Sequence, residues 1–269
     1  MADRVTRFAP SPTGPLHLGH AYAAWVAADR GDRFLLRIED IDTPRCKPEW
    51  EAAIYADLTW LGLRWETPVM RQSARQPAYA AALAQLAAMG LTYACTCTRA
   101  DIRTALSAPQ EGVTGPDGPV YPGTCRGKTG AGAIRLDMAK AMARLGTVSF
   151  TDQTEHRFDA GFMLKKVGDI VLARRDIGCA YHLAVVVDDA AQGITEVTRG
   201  LDLLSATPIH VVLQSLLALP TPNYYHHPLI RDATGHRLAK RDDARALATY
   251  RAEGATAQDI RQMVFTASV

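Results

Sequence analysis

Arg7-Phe8-Ala9-Pro10-Ser11-Pro12-Thr13-Gly14-Pro15-Leu16-His17-Leu18-Gly19-His20 is the stretch on which the reading of this chain turns. Val5 to Ala9, where it begins, has the apolar character of a short strand. Pro10, Pro12, Gly14 and Pro15 then forbid regular pairing and force a turn. Beyond it, His20 to Asp29 is rich in alanine and aromatic residues at helical spacing, and Gly31 supplies the stop. Phe34 to Ile38 follows as a second apolar strand. Strand, turn, helix, strand opens a doubly wound parallel α/β sheet, whose ligands sit beyond the carboxyl ends of the strands.

Further along, Glu49 to Leu61 and Gln76 to Met89 carry helical apolar spacing, each followed by glycine, at Gly62 and Gly90. From Ala94 to Gly132 the texture changes to cysteine, proline and glycine, which predicts a loop-rich insertion. Ala133 to Leu136, Val148 to Thr151 and Val171 to Ala173 read as strands. Val185-Val186-Val187 reads as a buried strand returning to the main sheet. Ile209 to Leu219 reads as a helix, and Tyr224 to Arg241 gathers basic and aromatic groups. This divides the chain into a first half of the catalytic α/β domain (1–93), the insertion (94–132), its remainder with the second half of the domain (133–222), and a C-terminal loop and helical segment (223–269).

With 269 residues, 48% hydrophobic and 22% charged, the chain can bury a proper core and lies outside the disordered and fibrous classes. A formal net charge of +2 is too mild to point to a nucleic-acid partner, so local basic clusters must carry that argument. Met1-Ala2-Asp3-Arg4 lacks the features of a signal peptide, and no apolar run approaches the roughly 20 residues that cross a bilayer. The expectation is a cytoplasmic protein with no membrane association, and a monomer. Five cysteines, an odd number, argue against a disulfide framework.

His17-Leu18-Gly19-His20 is a candidate phosphate site. A helix N-terminus favours anions, Gly19 permits close approach, and His17 and His20 can donate to phosphate oxygens. Gly235-His236-Arg237-Leu238-Ala239-Lys240-Arg241 is a second, in which a loop carrying Lys240 could neutralise charge as pyrophosphate leaves. Alone, each string reads more readily as a solvated surface turn or basic loop. Cys95-Thr96-Cys97 followed by Tyr121 and Cys125 offers three thiolates and a phenol, a donor set suited to tetrahedral zinc in a segment with little core of its own. Buried, unliganded thiols are the alternative, and that is the expectation for Cys46 and Cys179.

These motifs resemble those of a known family. Arg7 to Gly14 with His17-Leu18-Gly19-His20 is similar to the opening of glutamyl-tRNA synthetases, including the "HIGH" signature of class I enzymes. Leu36-Arg37-Ile38-Glu39-Asp40-Ile41-Asp42-Thr43-Pro44-Arg45, then Tyr181 to Asp189, then Gly193 to Gly200 resemble the following blocks in order. Arg237 to Arg241 occupies the place of "KMSKS", with Arg237 for its first lysine and Ala239 for a serine, so that Lys240 alone matches the expected lysine. The resemblance implies a Rossmann-like catalytic domain with a zinc-bearing insertion, binding ATP with Mg²⁺ through His17, Gly19, His20 and Lys240. It implies a glutamate pocket drawn from Arg7, Phe8, Ala9, Pro10, Ser11, Glu39, Tyr181 and Arg199. The chemistry agrees, since Arg7 and Arg199 suit carboxylates and Glu39 suits an ammonium. It also favours Zn²⁺ on Cys95, Cys97, Tyr121 and Cys125.

Full-length glutamyl-tRNA synthetases continue past "KMSKS" into helical anticodon-reading domains, whereas 28 residues follow Arg241. That brevity, with the Cys-x-Cys and Tyr-x-x-x-Cys arrangement, resembles the glutamyl-queuosine tRNA(Asp) synthetases. The resemblance implies activation of L-glutamate by ATP and its transfer to queuosine in the anticodon stem-loop of tRNA(Asp), with contacts from Arg231, Arg237 and Arg241. Two other readings stand beside it: a truncated enzyme charging the 3′ end of tRNA(Glu), and a silent nucleotide- or RNA-binding paralogue.

Overall fold

The computed structural model describes residues 3–98, 100–102, 114–128, 130–176, 178–230 and 245–266. They form two compact units, one within Met1–Ala74, Gly193–Leu204 and Pro222–Val269, the other within Arg75–Gln192 and Ser205–Thr221.

In the first unit the opening motif folds as expected: strand Val5–Phe8, helix Leu18–Arg30, strand Arg33–Ile38. The strands pair in parallel, Val5 opposite Arg33 and Phe8 opposite Leu36. After helix Pro48–Trp60, strand Glu66–Arg71 adds in parallel outside Arg33–Ile38. A second parallel ladder, Glu196–Gly200 with Asn223–His227, meets the other side of Val5–Phe8. There the Thr195 amide donates to the Val5 carbonyl at 3.0 Å, and the Val5 amide to Thr195 Oγ1 at 2.8 Å. The chain thus winds outward in one direction from Val5–Phe8 and later in the other, which creates a topological switch point beside that strand.

Helix Leu18–Arg30 turns Ala21, Ala24, Trp25 and Ala27 inward, and small alanines let it lie close to the sheet. Thr6 Oγ1 donates to the Ala27 carbonyl at 2.7 Å. At Gly31, the residue after the helix, a Cβ would lie 2.3 Å from Thr6 Oγ1, so glycine lets the chain pass the strand. Leu36, Ile38, Ile54 and Leu58 complete this core with Ile260 and Val264 of helix Ala257–Thr266.

The second unit centres on an antiparallel sheet in the order Gly178–Cys179, Val171–Arg174, Ala133–Leu136, Thr92–Cys95. A hairpin, Thr147–Asp152 with Thr154–Asp159, stands apart from that sheet. Helices Gln76–Ala88, Met138–Leu145, Tyr181–Ala191 and Thr207–Leu216 complete the unit.

One expectation is corrected here. Val185-Val186-Val187 is not a strand but the middle of helix Tyr181–Ala191. A short apolar run reads alike as a buried strand or a helix buried on most sides, and periodicity does not separate them. The helical propensity lost at β-branched residues, a few tenths of a kcal/mol each, is small beside the burial of Val185 and Val186. In the first unit three strands had no counterpart in the sequence reading: Glu66–Arg71, Glu196–Gly200 and Asn223–His227. Among the described residues no helix is long and apolar enough to cross a membrane.

Candidate functional site

The helix that follows the proline turn is capped by its own histidines. His17 is the N-cap: its Nδ1 accepts the Gly19 amide at 3.1 Å, while His20 Nδ1 accepts the His17 amide at 3.2 Å. The two rings lie 3.8 Å apart. With Nδ1 accepting in both, each neutral ring carries its proton on Nε2, so Nε2–H is the group each can offer an anion. At the helix N-terminus that the sequence reading proposed for an anion, the Gly19 amide is taken by the cap. Lys240, with Arg231, Arg237, Ala239 and Arg241, lies outside the described residues. Ala246, six positions beyond Lys240, is bridged to His17, and the Leu247 amide donates to the Leu16 carbonyl at 2.8 Å.

At the carboxyl ends of the central strands the first unit gathers the groups expected to hold an amino acid. Arg7 and Arg199 are each only 6% exposed. Arg7 Nη1 donates to the Thr198 carbonyl at 3.3 Å; Arg199 Nε donates to His226 Nε2 at 3.2 Å and lies 5.2 Å over the Tyr224 ring. Guanidinium groups this deep must be fixed by such partners. The Glu39 amide donates to the Pro10 carbonyl at 3.0 Å, which ties the Ala9-Pro10-Ser11 turn to the end of the next strand. Glu39 Oε1 accepts from Nη2 of the wholly buried Arg37 at 3.1 Å. Ala9 is half-buried, Pro10 buried and Ser11 exposed. The Phe8 side chain belongs to the core. Tyr181 lies in the second unit, 39% exposed at the start of its helix.

Sequence reasoning missed Arg37 and His226 as supports. An arginine inside the apolar run Phe34 to Ile38 was a signal for the first; nothing local marked the second.

In the second unit Cys95, Cys97 and Cys125 bring their sulfurs within 4.8 Å of one another. Cys97 and Cys125 Sγ are 3.4 Å apart. The Tyr121 oxygen lies 3.3 Å from Cys95 Sγ and 3.4 Å from Cys97 Sγ, and accepts the Cys125 amide at 3.0 Å. Tetrahedral zinc with Zn–S near 2.3 Å spaces its sulfurs by about 3.8 Å, so three thiols and a phenol packed this way fit the metal. The Tyr121 hydroxyl holds the Cys125 thiol down to about 6, while burial and its bonds to the thiols push the phenol of Tyr121 up. A Cβ at Gly132 would come 2.0 Å from the Cys95 carbonyl oxygen, so only glycine lets the neighbouring strand pass the cluster. Cys179 is buried and Cys46 half-buried.

The profile of "tRNA synthetases class I (E and Q), catalytic domain" matches residues 4–267. The Glutamyl-Q tRNA(Asp) synthetase of Rhodobacter capsulatus is 56% identical over 97% of this chain and 99% of that protein. The protein of the same name from Albidiferax ferrireducens is 44% identical over 93% of this chain and 88% of its own. Among solved structures, the glutamate-tRNA synthetase of Elizabethkingia anophelis superposes with a TM-score of 0.79 at 26% identity, over 98% of this chain; this chain spans 61% of that one. The chain therefore belongs to the class I tRNA synthetases (E and Q), as a ligase-type enzyme of the glutamyl-Q tRNA(Asp) synthetase family.

Proposed function

We propose that the protein activates L-glutamate with ATP and transfers the glutamyl group to queuosine in the anticodon stem-loop of tRNA(Asp), in the cytoplasm. The observation that carries this reading is the 56% identity to a Glutamyl-Q tRNA(Asp) synthetase across 99% of that protein's length. The site's geometry supports the first step. Arg7 and Arg199 would clamp the substrate's carboxylates and Glu39 its ammonium. A glutamate carboxylate oxygen attacks the α-phosphorus of ATP, the bond to the β-phosphate oxygen breaks, and pyrophosphate leaves. Charge on the phosphates, bound with Mg²⁺, is met by the Nε2–H groups of His17 and His20 and by Lys240. Adenylation of this kind needs positioning and charge neutralisation and no protein nucleophile. In the second step a hydroxyl of the queuosine ring attacks the acyl carbon and AMP departs.

Zinc held by Cys95, Cys97, Tyr121 and Cys125 would supply a structural cross-link in a segment with little apolar core. The test of the first step is glutamate-dependent exchange of labelled pyrophosphate into ATP without RNA. Exchange is expected, and its absence would favour the silent paralogue.

A further inference from the structure

The second unit contains a cavity of about 520 Å³ that the proposed chemistry does not use. Its size lies within the roughly 300 to 1,000 Å³ of small-molecule sites. Pro116 and Pro119, from the turn and second strand of the short hairpin Thr114–Gly115/Gly118–Pro119, and Ile170 and Ile209 give it apolar walls. Three charged residues interrupt them, Asp117, Arg135 and Asp169, beside the Tyr121 ring. The third charged residue of the lining, Asp169, is already engaged: it accepts two bonds from Arg126 at 2.6 Å, one from the Tyr93 hydroxyl and one from the Met138 amide at 2.9 Å.

Arg135 is held rigidly. Its guanidinium lies 3.9 Å over the Tyr121 ring and its Nη1 donates to the Asp169 carbonyl at 2.7 Å. Yet its Nε–H is buried with no acceptor among the described residues, an arrangement that costs free energy unless something supplies one. Asp117 is aimed from behind. Its carboxylate oxygens lie 2.9 and 3.0 Å from His182 Nε2, and His182 Nδ1 lies 3.0 Å from His210 Nε2. The Asp117 side chain nonetheless keeps 54% of its surface exposed, so the carboxylate can still accept from a ligand.

A slot with apolar walls, a carboxylate and an inward guanidinium matches a planar heterocycle that carries adjacent N–H donors beside a carbonyl. Among the nucleobases only guanine has this edge: N1–H and the 2-amino group for a carboxylate, with O6 and N7 as acceptors that arginine favours. Unpaired bases of RNA loops are commonly splayed into such pockets. We propose that this cavity binds one unstacked guanine base of the RNA substrate, Asp117 accepting from its donor edge and Arg135 donating to its acceptors. The proposal rests on the reading that the substrate is an RNA loop.

The experiment is equilibrium binding of free nucleosides to the full chain, with the ATP site filled by a non-hydrolysable analogue. Guanosine should bind, and adenosine, cytidine and uridine should bind about tenfold or more weakly. Asp117→Asn should lose guanosine and gain xanthosine, which has a carbonyl where guanosine has the amino group. A loosened hairpin would not produce that exchange of preference. Pyrophosphate exchange by the variant should match wild type and serves as its folding control. No guanosine binding to wild type would overturn the proposal, as would an exchange-competent Asp117→Asn that binds guanosine unchanged or neither nucleoside. Guanosine binding without glutamate transfer to RNA would remove the RNA reading instead, whereas transfer without guanosine binding would remove this site alone.

Discussion

The backbone N–H of His17 is held by Nδ1 of His20, 3.2 Å away, while His17 Nδ1 caps Gly19 in return. Each imidazole therefore spends its Nδ1 on the helix, and the proposed role in meeting phosphate charge falls to Nε2. Replacements can separate the two uses. Asparagine at position 17 keeps a capping acceptor but has no counterpart of Nε2–H, so His17→Asn should leave thermal stability near wild type and lower pyrophosphate exchange at saturating substrates. His17→Ala should lose activity and also about 1 kcal/mol of stability from the missing cap. Full exchange in His17→Asn would show that this histidine serves only the fold.

Arg7, buried and bonded to the Thr198 carbonyl, should discriminate glutamate binding from ATP binding. Losing a hydrogen bond to a charged partner costs roughly 1.5 to 3 kcal/mol, so Arg7→Ala should raise the glutamate KM in the exchange assay by one to two orders of magnitude. The KM for ATP should move little. An unchanged glutamate KM would remove Arg7 from the pocket.

The opening strand-turn-helix-strand and the cysteine cluster were legible because their signals are local: proline and glycine punctuation, helical spacing, thiols at short separation. Strand Glu196–Gly200 was not legible as a strand. Glu196, Thr198 and Arg199 are polar yet buried, since Glu196 accepts from Arg30 at 2.5 and 3.1 Å and Arg199 leans on His226. Partners 166 and 27 positions away leave no trace in a local pattern. The helix over Val185 to Val187 was hidden for the opposite reason, because burial on most sides erases amphipathic contrast.

Asp57 gives a pH-dependent prediction. It is buried, and desolvation raises its pKa above the usual 3.8, offset in part by Arg251 3.2 Å away. A carboxyl whose folded pKa is raised favours the folded state most when protonated, and that contribution fades as pH climbs from the unfolded value through the folded one. Asp57→Asn should therefore match or exceed wild type in Tm at pH 7, with the advantage shrinking as pH falls toward 4. A variant less stable at pH 7 than at pH 4, relative to wild type, would contradict this.

Metal content tests the cluster in the second unit. Purified protein should carry about one zinc per chain. Tyr121→Phe keeps the ring beneath Arg135 but removes the oxygen, so it should bind zinc more weakly in a chelator competition, and Cys125→Ser should do so too. Equal zinc retention by both variants would exclude Tyr121 and Cys125 as ligands.

The central claim is that the glutamyl group goes to queuosine in an anticodon loop. Its most direct test is incubation with labelled glutamate, ATP and an isolated anticodon stem-loop of tRNA(Asp), prepared with and without queuosine, beside intact tRNA(Glu). Label should appear on the queuosine-containing fragment alone, and its transfer should weaken with salt as phosphate contacts are screened. Label on intact tRNA(Glu) with none on the queuosine-containing stem-loop would contradict the account.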